Sequence, residues 1–295
     1  MLWYVEYALA ITLFAFLCYA SLKRRNQSKW EKIGYLKSID LYPLKGGAKL
    51  TVDSAFCASV GLVQTGDESD TPLLRDRCFV IYAEHNNEFR SARQLPRTLL
   101  IKVTPYCPRT VALDAPDTKR FLLELPNASV PNATVRMLAG ECVETTDCGD
   151  DVARWLSRFL LQEECGLRLG YNDGSLARNL ELNWSDLIQH DTLLSSKAAG
   201  LYAKLVSVSV TNQMSIDDCN DNLAGVVKVT AANFRHNLLI DGPGLKAFDE
   251  DRWDCISIGR AVKLRKVKDC LRCAVPGLDP QTAKKIRPRG TNQNT

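Results

Sequence analysis

From Tyr35 onward this 295-residue chain is a succession of short β-forming runs separated by proline, glycine, asparagine and aspartate. That punctuation constrains its fold more than any other feature, because runs of this length can only be buried by pairing with one another. The pattern predicts strands over 35–41, 78–82, 98–104, 110–113, 121–125 and 135–138. One amphipathic helix follows. Val152, Trp155, Leu156, Phe159 and Leu160 share a face, Asp150 and Asp151 occupy its start, and Gly166 supplies a stop. Residues 172–197 are polar and irregular. Strands resume at 205–210, 238–240, 255–258 and 262–267, with Ser215-Ile216-Asp217-Asp218 opening a short capped helix. The expected fold class is α+β, dominated by sheet and divided into two lobes.

The first residues carry a different signal. Residues 7–20 are apolar, Trp3, Tyr4 and Tyr7 are interfacial anchors, and Lys23-Arg24-Arg25 follows at once. This predicts a signal anchor over 1–22, contacting membrane lipid, with the bulk of the chain facing the cytosol. No basic segment precedes the apolar run, which argues against a cleaved signal peptide. The net charge of +4, from 38 basic and 34 acidic residues, is too balanced for a nucleic-acid partner. The basic run 284–289 reads as a solvated tail. Eleven cysteines, an odd number, read as reduced and mostly buried thiols rather than a disulfide framework. Sequons at Asn26, Asn127, Asn132 and Asn183 point the other way, but such tripeptides arise often by chance.

The residues that carry chemistry are Cys270-Leu271-Arg272-Cys273 and, upstream, Ala232-Asn233-Phe234-Arg235-His236-Asn237. A thiolate suits a soft metal, and arginines nearby suit an anion. Zinc would need two further ligands at suitable spacing, and there is no second CxxC or paired histidine. His85, His190 and His236 are isolated, so no hydrolase triad assembles readily. Pro276-Gly277 opposes the helix that a thioredoxin-type dithiol requires after its CxxC. Neither GxGxxG nor a P-loop occurs, so an anionic cofactor would rest on basic side chains and loop amides. A buried structural thiol, or a zinc- or thiol-based module using Cys270 and Cys273, remains the alternative reading of the same residues.

Several motifs together resemble the MOSC-domain family, in its amidoxime-reducing branch. They are Tyr42-Pro43-Leu44-Lys45-Gly46, Leu74-Arg75-Asp76-Arg77, Ala92-Arg93-Gln94-Leu95-Pro96-Arg97, Asp147-Cys148-Gly149, Ala232-Asn233-Phe234-Arg235 with Asn237, Asp251-x-Trp253-Asp254 with Ile258-Gly259, and Cys270-x-Arg272-Cys273 with Asp279-Pro280. The resemblance implies a linker over 23–34, a β-rich MOSC N-terminal domain over 35–170, a connection over 171–197, a MOSC β-barrel over 198–280 that lacks its last strands, and a basic disordered tail over 281–295. It implies a molybdenum cofactor with Cys273 as metal ligand. Lys45, Arg77 and Arg235 would grip the pterin phosphate, with Arg93, Asn233 and Arg272 as further cofactor contacts. The implied activity is reduction of small N-hydroxylated compounds with electrons from a b-type cytochrome and a flavin reductase. The implied place is the mitochondrial outer membrane, cytosol-facing; the membrane of the endoplasmic reticulum or peroxisome fits the physics equally. The family also carries a pyridoxal phosphate association, for which no Schiff-base lysine stands out. Gly46 and Leu271 replace serines, Leu201-Tyr202-Ala203-Lys204 replaces a Ser-Asp-Thr-Ser loop, and His236 replaces a proline. These departures leave open a non-catalytic MOSC-fold protein that acts through partners.

Overall fold

The computed structural model describes residues 30–66, 72–138, 140–176, 178, 199–203, 205–223, 227–270 and 273–286. The expected anchor over 1–22, Lys204, Leu271 and Arg272 lie outside the described residues. Among those described, no helix is long and apolar enough to cross a membrane. Gly34–Thr295 forms one compact unit, and the site lies within it.

The larger core is built on β5 (Phe79–Ala83), whose five residues are all buried. It heads a sheet of order β5-β11-β10-β9, with β9 at Ala133–Arg136, β10 at Cys142–Asp147 and β11 at Leu167–Tyr171. A second sheet joins β6 (Lys102–Cys107), β7 (Thr110–Asp114) and β8 (Phe121–Glu124). Helix α1 (Asp150–Leu161) packs Val152, Leu156 and Phe159 into this core, as its spacing predicts. Its end is not Gly166. Gln162 adopts the left-handed conformation at φ 63°, and its N–H returns to the carbonyls of Arg158 and Ser157. The expected strand over 98–104 begins late, because Pro96 opens a 3-10 turn at Pro96–Leu100 that has no strand ladder.

The smaller sheet has order β12-β13-β1-β2, from β1 (Tyr35–Leu41), β2 (Leu50–Val52), β12 (Val210–Asn212) and β13 (Leu238–Asp241). Two hairpins, β3 (Ala55–Ala58) with β4 (Gly61–Gln64) and β14 (Cys255–Ile258) with β15 (Val262–Arg265), complete this lobe. Among the described residues, Leu41, Leu62 and Leu238 form one buried cluster here, ringed by half-buried apolar residues such as Ile39, Val210, Ile258 and Leu264. Helices α2 (Gln213–Asn222) and α3 (Ala231–Phe234) connect its strands. The cap of α2 is Asn212, whose side chain accepts from Ser215 N, so the helix starts ahead of the predicted Ser215.

The structure adds to or departs from the sequence pattern at several points. β1 pairs antiparallel with β13, some two hundred residues later, so the opening strands of the expected N-terminal domain share a sheet with the second lobe. The expected strand over 205–210 shrinks to its last residue. Ser209 gives its carbonyl to the N–H groups of Asn237 and Leu238, and its own N–H donates to Asn237 Oδ1, which diverts the backbone from a ladder. The expected disordered tail is ordered at its start. Ala283 N–H reaches Asp279 O, Ile286 N–H reaches Gly277 O, and Leu278 bridges Lys285. The cysteines also differ from expectation, since Cys142, Cys165, Cys255, Cys270 and Cys273 are exposed and, among the described residues, only Cys78 is fully buried.

Candidate anion-binding site

The chain crosses from the small sheet to the large core immediately after β1, at Tyr42–Lys45, and the cationic residues gather at that crossing. Tyr42 is fully buried; its N–H donates to Asp76 Oδ1 at 2.9 Å and its carbonyl accepts Arg77 N–H at 2.8 Å. Arg77 sits at φ 51° and Arg235, capping α3, at φ 57°. Left-handed backbone is uncommon for a side chain this large and persists where surrounding bonds fix it. At Arg77 those bonds are visible. Its guanidinium pairs with Asp76, donates to Asn237 Oδ1 at 3.3 Å, and donates to the Arg235 carbonyl at 3.0 Å. Arg77 is therefore a brace between the lobes, with most of its donors already spent.

Lys45 and Arg235 differ. Lys45 Nζ donates to the Tyr202 carbonyl and lies 5.0 Å above the Phe89 ring. Arg235 lies 4.2 Å above the Tyr42 ring and donates from Nη1 to Gly47 O at 2.6 Å. That approach depends on the Gly46-Gly47 turn. Gly46 has φ +89°, and a Cβ on Gly47 would meet Leu44 Cβ at 2.7 Å. No carboxylate of the described residues forms an ion pair with either cation. Burial, helped by Arg77, Arg178 and Arg235, pulls the Lys45 ammonium down to about 7. Burial, with Arg77 adding, pulls Arg235 down to about 10, while Tyr42, Asp76 and Cys273 act in the opposite direction. Cys273 is thus within electrostatic reach of Arg235, and it is exposed. Three buried donors at this crossing have no acceptor among the described residues: Arg235 Nη2, Tyr42 OH and Thr98 Oγ1, the last beside Gly46.

An anion with several acceptor oxygens fits this donor set, because it would match two uncompensated cations and satisfy buried donors together. A soft metal fits Cys273. The set therefore suits a cofactor bearing both a phosphate and a metal.

The sequence-predicted residues divide accordingly. Lys45, Arg77 and Arg235 are brought together, with Cys273 within electrostatic reach of Arg235. Arg93 is exposed on the turn after Ser91 and has no bond to the cluster. Asn233 is nearby, but its carboxamide is fully engaged with protein atoms. Arg272 lies outside the described residues. Sequence reasoning quoted Tyr42, Asp76 and Asn237 inside motifs without giving them roles. It quoted Tyr202 only as part of a replaced loop, and it missed Thr98, which carries no local signal. A cavity of about 350 Å³ elsewhere, lined by His85, Arg90, Gln94, Leu95, Leu161 and Glu163, includes none of the cluster.

Fold and site define a two-lobed β protein with a cationic cluster at the crossing and an exposed thiol within its electrostatic reach, and the comparisons agree on its class. The MOSC N-terminal beta barrel domain matches residues 33–163 and the MOSC domain matches residues 202–293. The chain belongs to the mitochondrial amidoxime-reducing component family of MOSC-domain proteins. It is 31% identical over 276 residues to mitochondrial amidoxime-reducing component 1 of Mus musculus, covering 93% of this chain and 74% of that protein. It is 29% identical over 259 residues to the Danio rerio component 1, covering 88% and 73%. To component 2 of Bos taurus it is 27% identical over 257 residues, covering 87% and 70%.

Proposed function

We propose that this chain is a membrane-anchored reductase of small N-hydroxylated compounds that binds a molybdenum cofactor, with Cys273 as the metal ligand. The observation that carries this reading is the pair of partly buried cations, Lys45 and Arg235, with no ion-paired carboxylate among the described residues and with an exposed thiol within electrostatic reach of Arg235. The names of the relatives, amidoxime-reducing components, support the reaction class.

When bound, the cofactor supplies a metal centre that takes up oxygen and passes electrons, chemistry no side chain here provides. The chain's own residues divide the remaining work. Arg235 offers Nη2 and Lys45 its ammonium to the phosphate. Arg77 holds Asp76, Asn237 and the Arg235 carbonyl together, so the arginine keeps its place. Tyr202 buries its ring against the larger core, its hydroxyl bonded to Thr145, and presents its carbonyl to Lys45. Electrons would come from a b-type cytochrome and its flavin reductase. The apolar run at 7–20 followed by Lys23-Arg24-Arg25 supports an anchor in the mitochondrial outer membrane, the domain facing the cytosol.

Metal analysis tests the reading. Protein purified from a host that makes molybdenum cofactor should hold near-stoichiometric molybdenum, and Cys273→Ala should lose it. An intact chain without metal would instead favour the non-catalytic MOSC-fold alternative. Equal losses on Cys270→Ala and Cys273→Ala would favour the thiol or zinc module.

A further inference from the structure

Asn233 sits in the middle of α3, two residues before Arg235, and is 4 % exposed. Its Oδ1 accepts from Thr230 N at 2.9 Å and Thr230 Oγ1 at 3.0 Å, one half of a capping box. Its Nδ2 donates to the carbonyls of Pro276 at 3.2 Å and Leu278 at 3.1 Å. Both donors and the acceptor oxygen are occupied, so this side chain has nothing left for a cofactor. What it holds is the 3-10 turn Val275–Gly277, which begins two residues after Cys273. The turn has two other attachments. Val275 and Leu278 pack on Ala92 and Leu99, and Gly277 O accepts Ile286 N–H. Neither of these reaches the segment that carries Arg235.

We propose that Asn233 is a positioning residue, a strap that fixes the Cys273 loop to the Arg235 turn so that thiol and guanidinium form one rigid unit. This rests on the reading of Cys273 as metal ligand and Arg235 as phosphate partner. A cofactor gripped at both ends needs its two attachment points at a set separation, and a slack strap lets the thiol drift while the guanidinium stays. Geometric tolerance of such sites is small, about 0.5 Å, so loss of the strap should be felt as loss of bound metal.

Asn233→Asp is nearly isosteric. It keeps the acceptor for Thr230 but turns an oxygen toward the two carbonyls in place of their donor. Thr230→Val weakens the cap and leaves the strap. Amide hydrogen exchange of the apo protein and molybdenum content of the loaded protein are measured for both. Expected for Asn233→Asp is at least tenfold faster exchange at Gly277 and Leu278, unchanged exchange in β5, and less than a third of the wild-type metal. Thr230→Val should keep both near wild type. Peptide-resolved alkylation monitors folding: Cys78 must stay protected while Cys142 and Cys165 label as in wild type. If Asn233→Asp exposes Cys78, Asn233→Ser removes the donors without a charge and carries the same comparison. Unchanged exchange at Gly277 and Leu278 overturns the strap, and faster exchange with full metal retention overturns its positioning role. A Cys273→Ala protein that keeps its molybdenum would instead overturn the ligand assignment, and the exchange result would stand without it.

Discussion

Two buried clusters of positive charge lie on neighbouring sides of the same crossing, and they are built on opposite principles. Arg178 is matched. Glu141 grips it at 2.6 Å through both Nε and Nη2, and its Nη1 reaches the carbonyls of Gly200 and Ala203 at 2.9 and 2.6 Å. Lys45 and Arg235 have aromatic faces and carbonyls around them, and no carboxylate of the described residues forms an ion pair with either. A buried cation without a counter-charge is costly, so a fold keeps one where a bound anion completes it. The contrast separates a structural arginine from one set for a ligand without reference to any relative.

The largest effect should fall on the thiol. Cys273→Ala is expected to abolish bound molybdenum with little change in the denaturation midpoint, because an exposed side chain is removed; metal analysis beside chemical denaturation checks both halves. Next comes the matched cluster. Glu141→Ala leaves the Arg178 guanidinium without its carboxylate and should cost about 3–5 kcal/mol of stability, read from denaturant unfolding. A loss under about 1 kcal/mol would erase the distinction drawn between the clusters.

Arg235→Met should do the reverse. Affinity of the apo protein for inorganic pyrophosphate, followed by calorimetry, should fall at least tenfold, about 1.4 kcal/mol, while stability holds or rises. Smaller still is a pH effect at Lys45. Its folded value of about 7 lies below its ordinary 10.5, so the empty site is protonated below pH 7 and neutral above. An anion favours the ammonium, so pyrophosphate affinity should weaken as pH rises from 6 to 8, with proton uptake on binding near pH 8. Lys45→Met should flatten that profile. The sign for folding is consistent: the unfolded chain holds this proton up to about 10.5, so Lys45 opposes folding most below pH 7 and progressively less up to 10.5. Smallest of all, Arg93→Ala should change neither metal content nor stability by more than about 0.5 kcal/mol, since the residue is exposed and outside the cluster.

Local pattern made much of the fold legible. The strand over 35–41 and the hairpin strand at 255–258 fall where alternation and flanking breakers put them, and α1 follows its apolar spacing. Weaker runs were passed over. β2, β3 and β4 are only three or four residues long, and β11 is interrupted by Gly170, so none shows a clear period. In the site, Arg235 and Cys273 were legible because guanidinium and thiol side chains advertise their chemistry by type, whereas Lys45 and Arg77 came from the family's motifs. Asn233 was read as a cofactor contact, since sequence shows a carboxamide but not which atoms it has already engaged. Arg93 shared a motif with buried neighbours and faces solvent instead.

By itself the sequence determined a sheet-rich α+β chain and the residues able to carry an anion and a soft metal, because periodicity and side-chain chemistry are local properties. Tertiary structure alone decided that β1 pairs with β13, that Arg77 is spent as a brace while Arg235 keeps an unsatisfied nitrogen, and that Asn233 ties the thiol loop to the guanidinium turn. The physical reason is that a side chain's role depends on which partners exhaust its hydrogen bonds and charge. Those partners lie up to about two hundred residues away along the chain.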